Sequence, residues 1–365
     1  MLALLVLALM AALAAANGAN DVSKGVATLV GSGVTKYRTA ILWGVGCTLV
    51  GSLLSALFAA KMLTLFSSGV VSAAPTPAFT IAVLVGTLGW VVVATITRLP
   101  VSTTHAILGS LLGAGMLFAP STVHWGAVLP RLVAPLLLSI AAAYALSAVG
   151  NTLAQALLPE CVCVALPASG TPAPRLAGAG ASTMPMSSAA LPMAGPVVFT
   201  GTAQECARHG GAASVTQERI HWLSAGLVSF ARGLNDTPKL VAIGATVLAT
   251  QFGLPVLLGV VAVAMAAGGL VAGRRVAAVL AEQVVKMDHR EGFVANLTTA
   301  LLVGVGANLG LPMSTTHVST GAIAGIAGSE TGRLNRSTIR SLLLAWTVTP
   351  VVSAGIAAAT YIIVR

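Results

Sequence analysis

The sequence predicts an all-α, polytopic membrane protein made of two repeats of inverted topology, with broken helices and motif hairpins. Three observations predict it. Hydrophobic residues form 56% of the 365-residue chain and charged residues only 8%, against roughly 45–50% and about 25% in a soluble domain. Apolar runs recur from Leu2 almost to the C-terminus, and about 20 apolar residues span a bilayer as a helix. Two short motifs also each occur twice, in the same order and at nearly the same spacing. A transmembrane barrel is excluded, because its strands alternate apolar and polar residues while a run such as Thr39 to Ala60 is apolar all round.

Residues 1–16 are apolar and end in small residues, as a signal peptide does, but lack a positively charged start. Cleavage after Ala14-Ala15-Ala16 is the alternative to a membrane helix. The apolar character resumes from Asn17 to Gly33 after a short polar break, which predicts one span interrupted in mid-membrane. Apolar segments at 39–60, 79–97, 104–118 and 125–157 complete a first repeat, residues 1–158. Residues 159–220 are rich in Pro, Gly, Ser, Thr and Ala, with Glu160, Arg175, Glu205, Arg208, Glu218 and Arg219 scattered among them. They predict a polar linker with little core of its own. Segments at 221–232, 237–250, 254–272, 293–308, 316–328 and 339–363 form the second repeat, residues 221–365.

The net charge of +10 is spread thinly between apolar spans rather than clustered on a polar domain, which excludes nucleic acid as a partner and leaves anions. Cys47, Cys161, Cys163 and Cys206 form no CxxC pair and no zinc-finger spacing. Neither a disulfide framework nor a structural metal is expected, and Cys161 and Cys163 read as loop thiols.

Asn20-Asp21-x-x-Lys24 recurs as Asn235-Asp236-x-x-Lys239, and Leu99-Pro100-x-Ser102-Thr103-Thr104-His105 as Leu311-Pro312-x-Ser314-Thr315-Thr316-His317. From Asp21 to His105 is 84 residues and from Asp236 to His317 is 81, which marks a duplication. Basic residues in short loops favour the cytoplasm, so they orient the two copies. Lys36 and Arg38 follow the first Asp motif, while the matching loop at 251–255 carries no base. The next pair reverses: 61–78 holds only Lys61, against Arg274, Arg275, Lys286 and Arg290 in 273–292. Arg333, Arg336 and Arg340 in 329–340 face an uncharged 119–124. Matching loops therefore lie on opposite sides, the pattern of inverted repeats with both termini outside and the linker inside.

Of nine acidic residues, only Asp21 and Asp236 interrupt apolar spans; the other seven, Glu282 among them, fall in loops or the linker. A carboxylate in the bilayer costs on the order of 2.5–3.5 kcal/mol by insertion scales unless paired, protonated or facing a polar cavity. Ion pairing with Lys24 and Lys239, three residues on, is the purely structural alternative. At a helix break, freed carbonyls with the Asp carboxylate and Asn amide give hard oxygen ligands for a small cation such as Na+, with Asp21 and Asp236 as its metal ligands. The same carboxylates could instead carry a proton. The Ser-Thr-Thr-His segments offer a complementary capacity. Pro100 and Pro312 stop a regular helix, and Ser102 and Ser314 are good N-caps for a new one. The unpaired N–H groups and partial positive charge of such a start, with Thr hydroxyls, suit a tetrahedral oxyanion. His105 and His317 rank second, with Lys24 and Lys239. Arg98 and Arg232 read as side chains that snorkel to an interface.

At these residues the sequence resembles the inorganic phosphate transporter (Pit) family, which includes sodium–phosphate symporters. The resemblance rests on Gly18-Ala19-Asn20-Asp21-Val22-Ser23-Lys24-Gly25, on Gly233-Leu234-Asn235-Asp236-Thr237-Pro238-Lys239 and on both Pro-x-Ser-Thr-Thr-His segments. It implies a secondary transporter of the cytoplasmic membrane, not an enzyme, that carries inorganic phosphate by symport with Na+ or H+ and needs no cofactor. Its partners are phosphate, the coupling cation and the lipid bilayer; a homo-oligomer is compatible. Phosphate then falls to Ser102, Thr103, Thr104, Ser314, Thr315 and Thr316, and cation coupling to Asn20, Asp21, Asn235 and Asp236. The linker is shorter and less charged than the long cytoplasmic loop of the animal members. A sulfate or other oxyanion permease of the same fold is the alternative within transport. A membrane phosphohydrolase using Ser102 or Ser314 with the His three residues on is the alternative outside it.

Overall fold

The computed structural model describes residues 1–165, 197–208, 213–274, 276–277, 286–328 and 330–365. Arg175, Arg275 and Glu282 lie outside the described residues, as does the middle of the segment read as a linker. The chain divides into a helical unit of Met1–Ala156 with His221–Arg365, and a smaller unit of Leu157–Ile220.

In the helical unit the first half contains α1 (Leu2–Gly31), α2 (Tyr37–Leu54), α3 (Ala59–Ser67), α4 (Pro77–Ile96), α5 (Thr103–Phe118), a single turn α6 (Trp125–Val128) and α7 (Ala134–Leu157). In the smaller unit the short helix α8 is Ala203–Arg208. The second half runs through α9 (Gln217–Phe252), α10 (Leu254–Ala272), α11 (His289–Leu309), α12 (Thr315–Gly325) and α13 (Arg336–Val364). Among the described residues seven helices are long and apolar enough to cross a membrane. Their outer faces carry exposed Leu42, Leu53, Leu138, Val271 and Ile363, while Asn17, Asp21, Lys24, Arg232 and Asp236 are buried. That distribution suits a hydrocarbon solvent, in which polar groups turn inward.

Local chemistry sets the helix ends. Thr76 caps α4, with Pro77 at its first position, where the missing N–H costs nothing. Asp288 and Glu291 form a reciprocal capping box at the start of α11, and Asn335 caps α13. Both Leu-Pro segments follow a left-handed residue, Gly310 at φ 75° in one half and Arg98 at φ 63° in the other.

The halves interlock through helix pairs of the same kind. Gly18 of α1 lies against the Met265 carbonyl of α10, and Gly268 of α10 against the Ala15 carbonyl of α1. In the corresponding pair, Gly233 of α9 lies against the Thr48 carbonyl of α2 and Gly51 of α2 against the Phe230 carbonyl of α9. Likewise α5 packs on α13 through Gly109 and Gly113, and α12 on α7 through Gly321 and Gly325. Small residues let backbones approach in this way where lipid provides no hydrophobic drive.

One sequence expectation is corrected here. Neither Asn-Asp helix is broken: α1 is helical through Gly18 to Asp21 and α9 through Gly233 to Pro238. The glycines serve close packing, and Pro238 lies inside α9, as proline does in membrane helices. The segments read as 221–232 and 237–250 are therefore one helix.

The smaller unit also differs from expectation. It holds a three-stranded antiparallel sheet in the order β2 (Val197–Gly201), β1 (Cys161–Ala165), β3 (Ala213–Thr216). Cys163 and Cys206 form a disulfide, and Cys161 is buried beside them. A staple takes the place of the core that the composition could not supply.

Candidate functional site

Helical spacing puts Lys24 over Asp21 and Lys239 over Asp236, and both pairs are made. Lys24 Nζ donates to Asp21 Oδ1 and, at 2.8 Å, to the Val101 carbonyl. Lys239 Nζ donates to Asp236 Oδ1 at 3.3 Å and to the Met313 carbonyl at 2.8 Å. Val101 and Met313 occupy the same place, the x of Pro-x-Ser, in the two halves. Asn20 Nδ2 donates to the Leu99 carbonyl at 3.0 Å and to Thr95 Oγ1 at 3.2 Å. Asn235 Nδ2 donates to the Met313 carbonyl and to Asp236 Oδ1, both at 2.9 Å. The carbonyls that the sequence reading sought in an unwound helix thus come from the loops opposite.

Those loops start α5 and α12. Ser102 Oγ accepts from the His105 N–H at 3.3 Å, and Ser314 Oγ from the His317 N–H at 3.3 Å, so both serines are the N-caps that the sequence predicts. Ser102, Thr103, Thr104, Ser314, Thr315 and Thr316 are all buried. The halves meet through them. Lys239 Nζ reaches Thr104 Oγ1 at 3.0 Å, and Thr316 Oγ1 donates to the Val101 carbonyl at 2.8 Å. The two histidine rings lie 4.5 Å apart by centroids, with His317 also 4.1 Å from Trp346. Trp346 Nε1 donates to the Pro100 carbonyl at 3.3 Å, so the rings brace the motif loop.

Two residues that sequence reasoning did not rank complete the centre. Arg232 is fully buried and does not snorkel to an interface; it donates to Thr48 Oγ1 at 3.0 Å and to Asn17 Oδ1 at 3.3 Å. Asn17 Nδ2 donates in turn to Asp21 Oδ2 at 3.2 Å and Thr103 Oγ1 at 3.0 Å. A signal for both was present. Asn17 and Arg232 stand at the same place, four residues before Asp21 and Asp236, and on a helix that spacing puts them on the carboxylate's face.

Three cations (Lys24, Lys239, Arg232) and two carboxylates (Asp21, Asp236) are therefore buried together, each 4% exposed or less, which leaves one positive charge in excess. Each ion removed from water costs several kcal/mol, and apolar residues would fill the space more cheaply. Three acceptor atoms are also buried without a partner, Asn20 Oδ1, Asn235 Oδ1 and Asp236 Oδ2. The centre thus offers helix N-termini, hydroxyls and surplus positive charge to an oxyanion, and spare acceptors to its protons or to a cation. Among the described residues no hydrogen bond joins the Ser102 or Ser314 hydroxyl to a histidine ring, each Oγ accepting instead from a backbone N–H, so the serine–base pair of an activated nucleophile is not formed.

Fold and centre define a helical membrane transport protein for an anion, assembled from two similar halves. The sequence pattern of the phosphate transporter family matches residues 17–357, and the chain belongs to that family. It is a transport protein and not an enzyme. Relatives along most of its length include a putative phosphate permease of Pyrococcus abyssi, 28% identical over 95% of this chain and 94% of the relative. A probable low-affinity inorganic phosphate transporter of Rhizobium meliloti is 26% identical over 94% of this chain and 91% of the relative. The solved structure of a sodium-dependent phosphate transporter superposes with a TM-score of 0.72 at 19% identity, covering 99% of this chain and 98% of that one, which shows the shared fold.

Proposed function

We propose that the protein carries inorganic phosphate across the cytoplasmic membrane by proton symport, through alternating access of two inverted repeats. Support for the substrate comes from family membership and from the buried centre. The single observation that carries the coupling reading is that a lysine ammonium already sits between carboxylate and carbonyl at both motifs. Those are the oxygens a sodium ion would take. With that position filled from within, a proton is the cation left to couple, and the one excess positive charge matches a phosphate dianion that enters with that proton.

Ser102, Thr103, Thr104, Ser314, Thr315 and Thr316 supply donors to phosphate oxygens, while Asn20, Asp21, Asn235 and Asp236 handle the protons. Asp236 Oδ2, buried and unpartnered, accepts from a phosphate O–H. Sulfate, which carries no proton at neutral pH, would meet that carboxylate unpaired, so phosphate is preferred to sulfate. The basic residues of alternate loops support a topology with both termini outside and the linker inside.

Sodium coupling is the second reading, and one observation favours it: Asn20 Oδ1 and Asn235 Oδ1 are unpartnered hard oxygens. Uptake of radiolabelled phosphate into proteoliposomes, with sodium and proton gradients imposed separately and sulfate as competitor, distinguishes the two. The expected result is saturable uptake driven by an inward proton gradient without sodium. Uptake driven only by sodium overturns the coupling reading, and sulfate entry without phosphate entry overturns the substrate.

A further inference from the structure

The smaller unit contains a cluster that transport does not use. Cys161 and Cys163 lie two residues apart on the central strand β1, so their side chains leave the same face of the sheet. Cys206 comes from α8, whose start is fixed by the Cys206 N–H donating to the Thr202 carbonyl at 3.1 Å. The three sulfurs lie within 4.8 Å of one another, and all three residues are buried. They form a buried cluster of their own, while Val198 and Val215 of the flanking strands are 63% and 55% exposed. Among the described residues of this unit, the sulfurs are the core.

A disulfide joins Cys163 and Cys206 and leaves Cys161 as a buried thiol at the same centre. A staple needs two of these residues, and the third has no part in it. Three thiolates are instead what a soft-ligand metal requires. With Zn–S bonds of about 2.3 Å, tetrahedral zinc holds its sulfurs about 3.8 Å apart, so the Cys163 and Cys206 sulfurs must separate once their bond is broken, while Cys161 Sγ, already within 4.8 Å of both, needs only a small shift. We propose that Cys161, Cys163 and Cys206 form a zinc–thiolate site once the Cys163–Cys206 bond is reduced, the fourth position going to water or another donor.

The chemistry balances in two steps. A dithiol reductant donates two electrons and two protons, the S–S bond breaks to give two cysteine thiols, and the reductant leaves as its own disulfide. Zinc then binds the three sulfurs with release of their three protons, so binding tightens as pH rises.

The test uses the full-length protein in detergent, reduced with dithiothreitol, freed of reductant under argon and titrated with cobalt(II), then zinc. One cobalt per chain, with thiolate-to-cobalt charge-transfer absorption that zinc abolishes, is the expected result. Cys161→Ser, Cys163→Ser and Cys206→Ser each weaken zinc binding by more than the roughly 10–100-fold that loss of a group merely supporting a metal ligand costs. Cys47→Ser, in helix α2, binds as the unchanged protein does. Each variant is first checked for a monodisperse elution profile and unchanged helix content, so that misfolding is separated from ligand loss. No charge-transfer band in the reduced protein, or a folded Cys161→Ser variant that binds zinc normally, overturns the proposal.

Discussion

Asp236→Asn isolates the atom on which discrimination between two similar oxyanions depends. Asp236 Oδ1 is held by Asn235 and Lys239 at 2.9 and 3.3 Å, while Oδ2 is buried without a partner. The amide keeps the shape and the Oδ1 acceptor but puts an N–H2 donor where Oδ2 was. A phosphate O–H loses its acceptor there, and a hydrogen bond to a charged group contributes about 1.5–3 kcal/mol. At about 1.36 kcal/mol per tenfold, phosphate binding weakens by about 10- to 150-fold relative to sulfate, which has no proton to place. Loss of the carboxylate charge favours the doubly charged sulfate more than a protonated phosphate and so widens the same ratio. The assay compares the KM for labelled phosphate with the Ki of sulfate in proteoliposomes, on protein that elutes as the unchanged chain does. A parallel shift of both constants refutes the reasoning and moves the discriminating acceptor elsewhere.

Lys24→Asn and Lys239→Asn each remove an ammonium from between a carboxylate and a carbonyl. Uptake in either variant becomes stimulated by sodium over potassium, and equal rates in the two salts count against the built-in cation. Gly18→Ala drives a Cβ into the Met265 carbonyl of α10, and such overpacking costs about 1–3 kcal/mol. The thermal midpoint in detergent falls, whereas Gly46→Ala, with open space around it, does not lower it. Arg98 is exposed and holds a left-handed conformation where the other half has Gly310. Arg98→Gly relieves strain of about 1–2 kcal/mol and raises the same midpoint; an unchanged midpoint would show that the loop adjusts without cost.

What the sequence made legible follows the range of the forces involved. Helix starts at Ser102 and Ser314 rest on bonds three residues long, and the span at 254–272 is bounded by Gly253 and Gly273 in both sequence and structure. The broken helices were misread because a glycine that admits a neighbouring carbonyl, as Gly18 admits Met265, looks the same in sequence as one that ends a helix. The disulfide was missed because pairing depends on a sheet that brings Cys163 to Cys206 across 43 residues, and connectivity is not encoded in spacing. Arg232 was misplaced for a third reason: the rotation of α9 decides whether a cation near a span's end faces lipid headgroups or the bundle.

That last residue also shows why near-symmetry is not enough for an anion carrier. Duplication yields two Asp–Lys pairs, and each pair sums to no net charge. The halves differ where Asn17 in one faces Arg232 in the other at 3.3 Å, and this unmatched cation alone makes the centre positive. On the transport reading, a phosphate dianion that enters with its one coupled proton adds a single negative charge and brings the buried charge to zero, so the loaded centre crosses between its outward and inward forms with little electrostatic cost. The empty centre has to carry an uncompensated charge through a low-dielectric interior. The return of the empty protein is then the slower step, and phosphate on the opposite side should accelerate labelled uptake by sparing the protein that step.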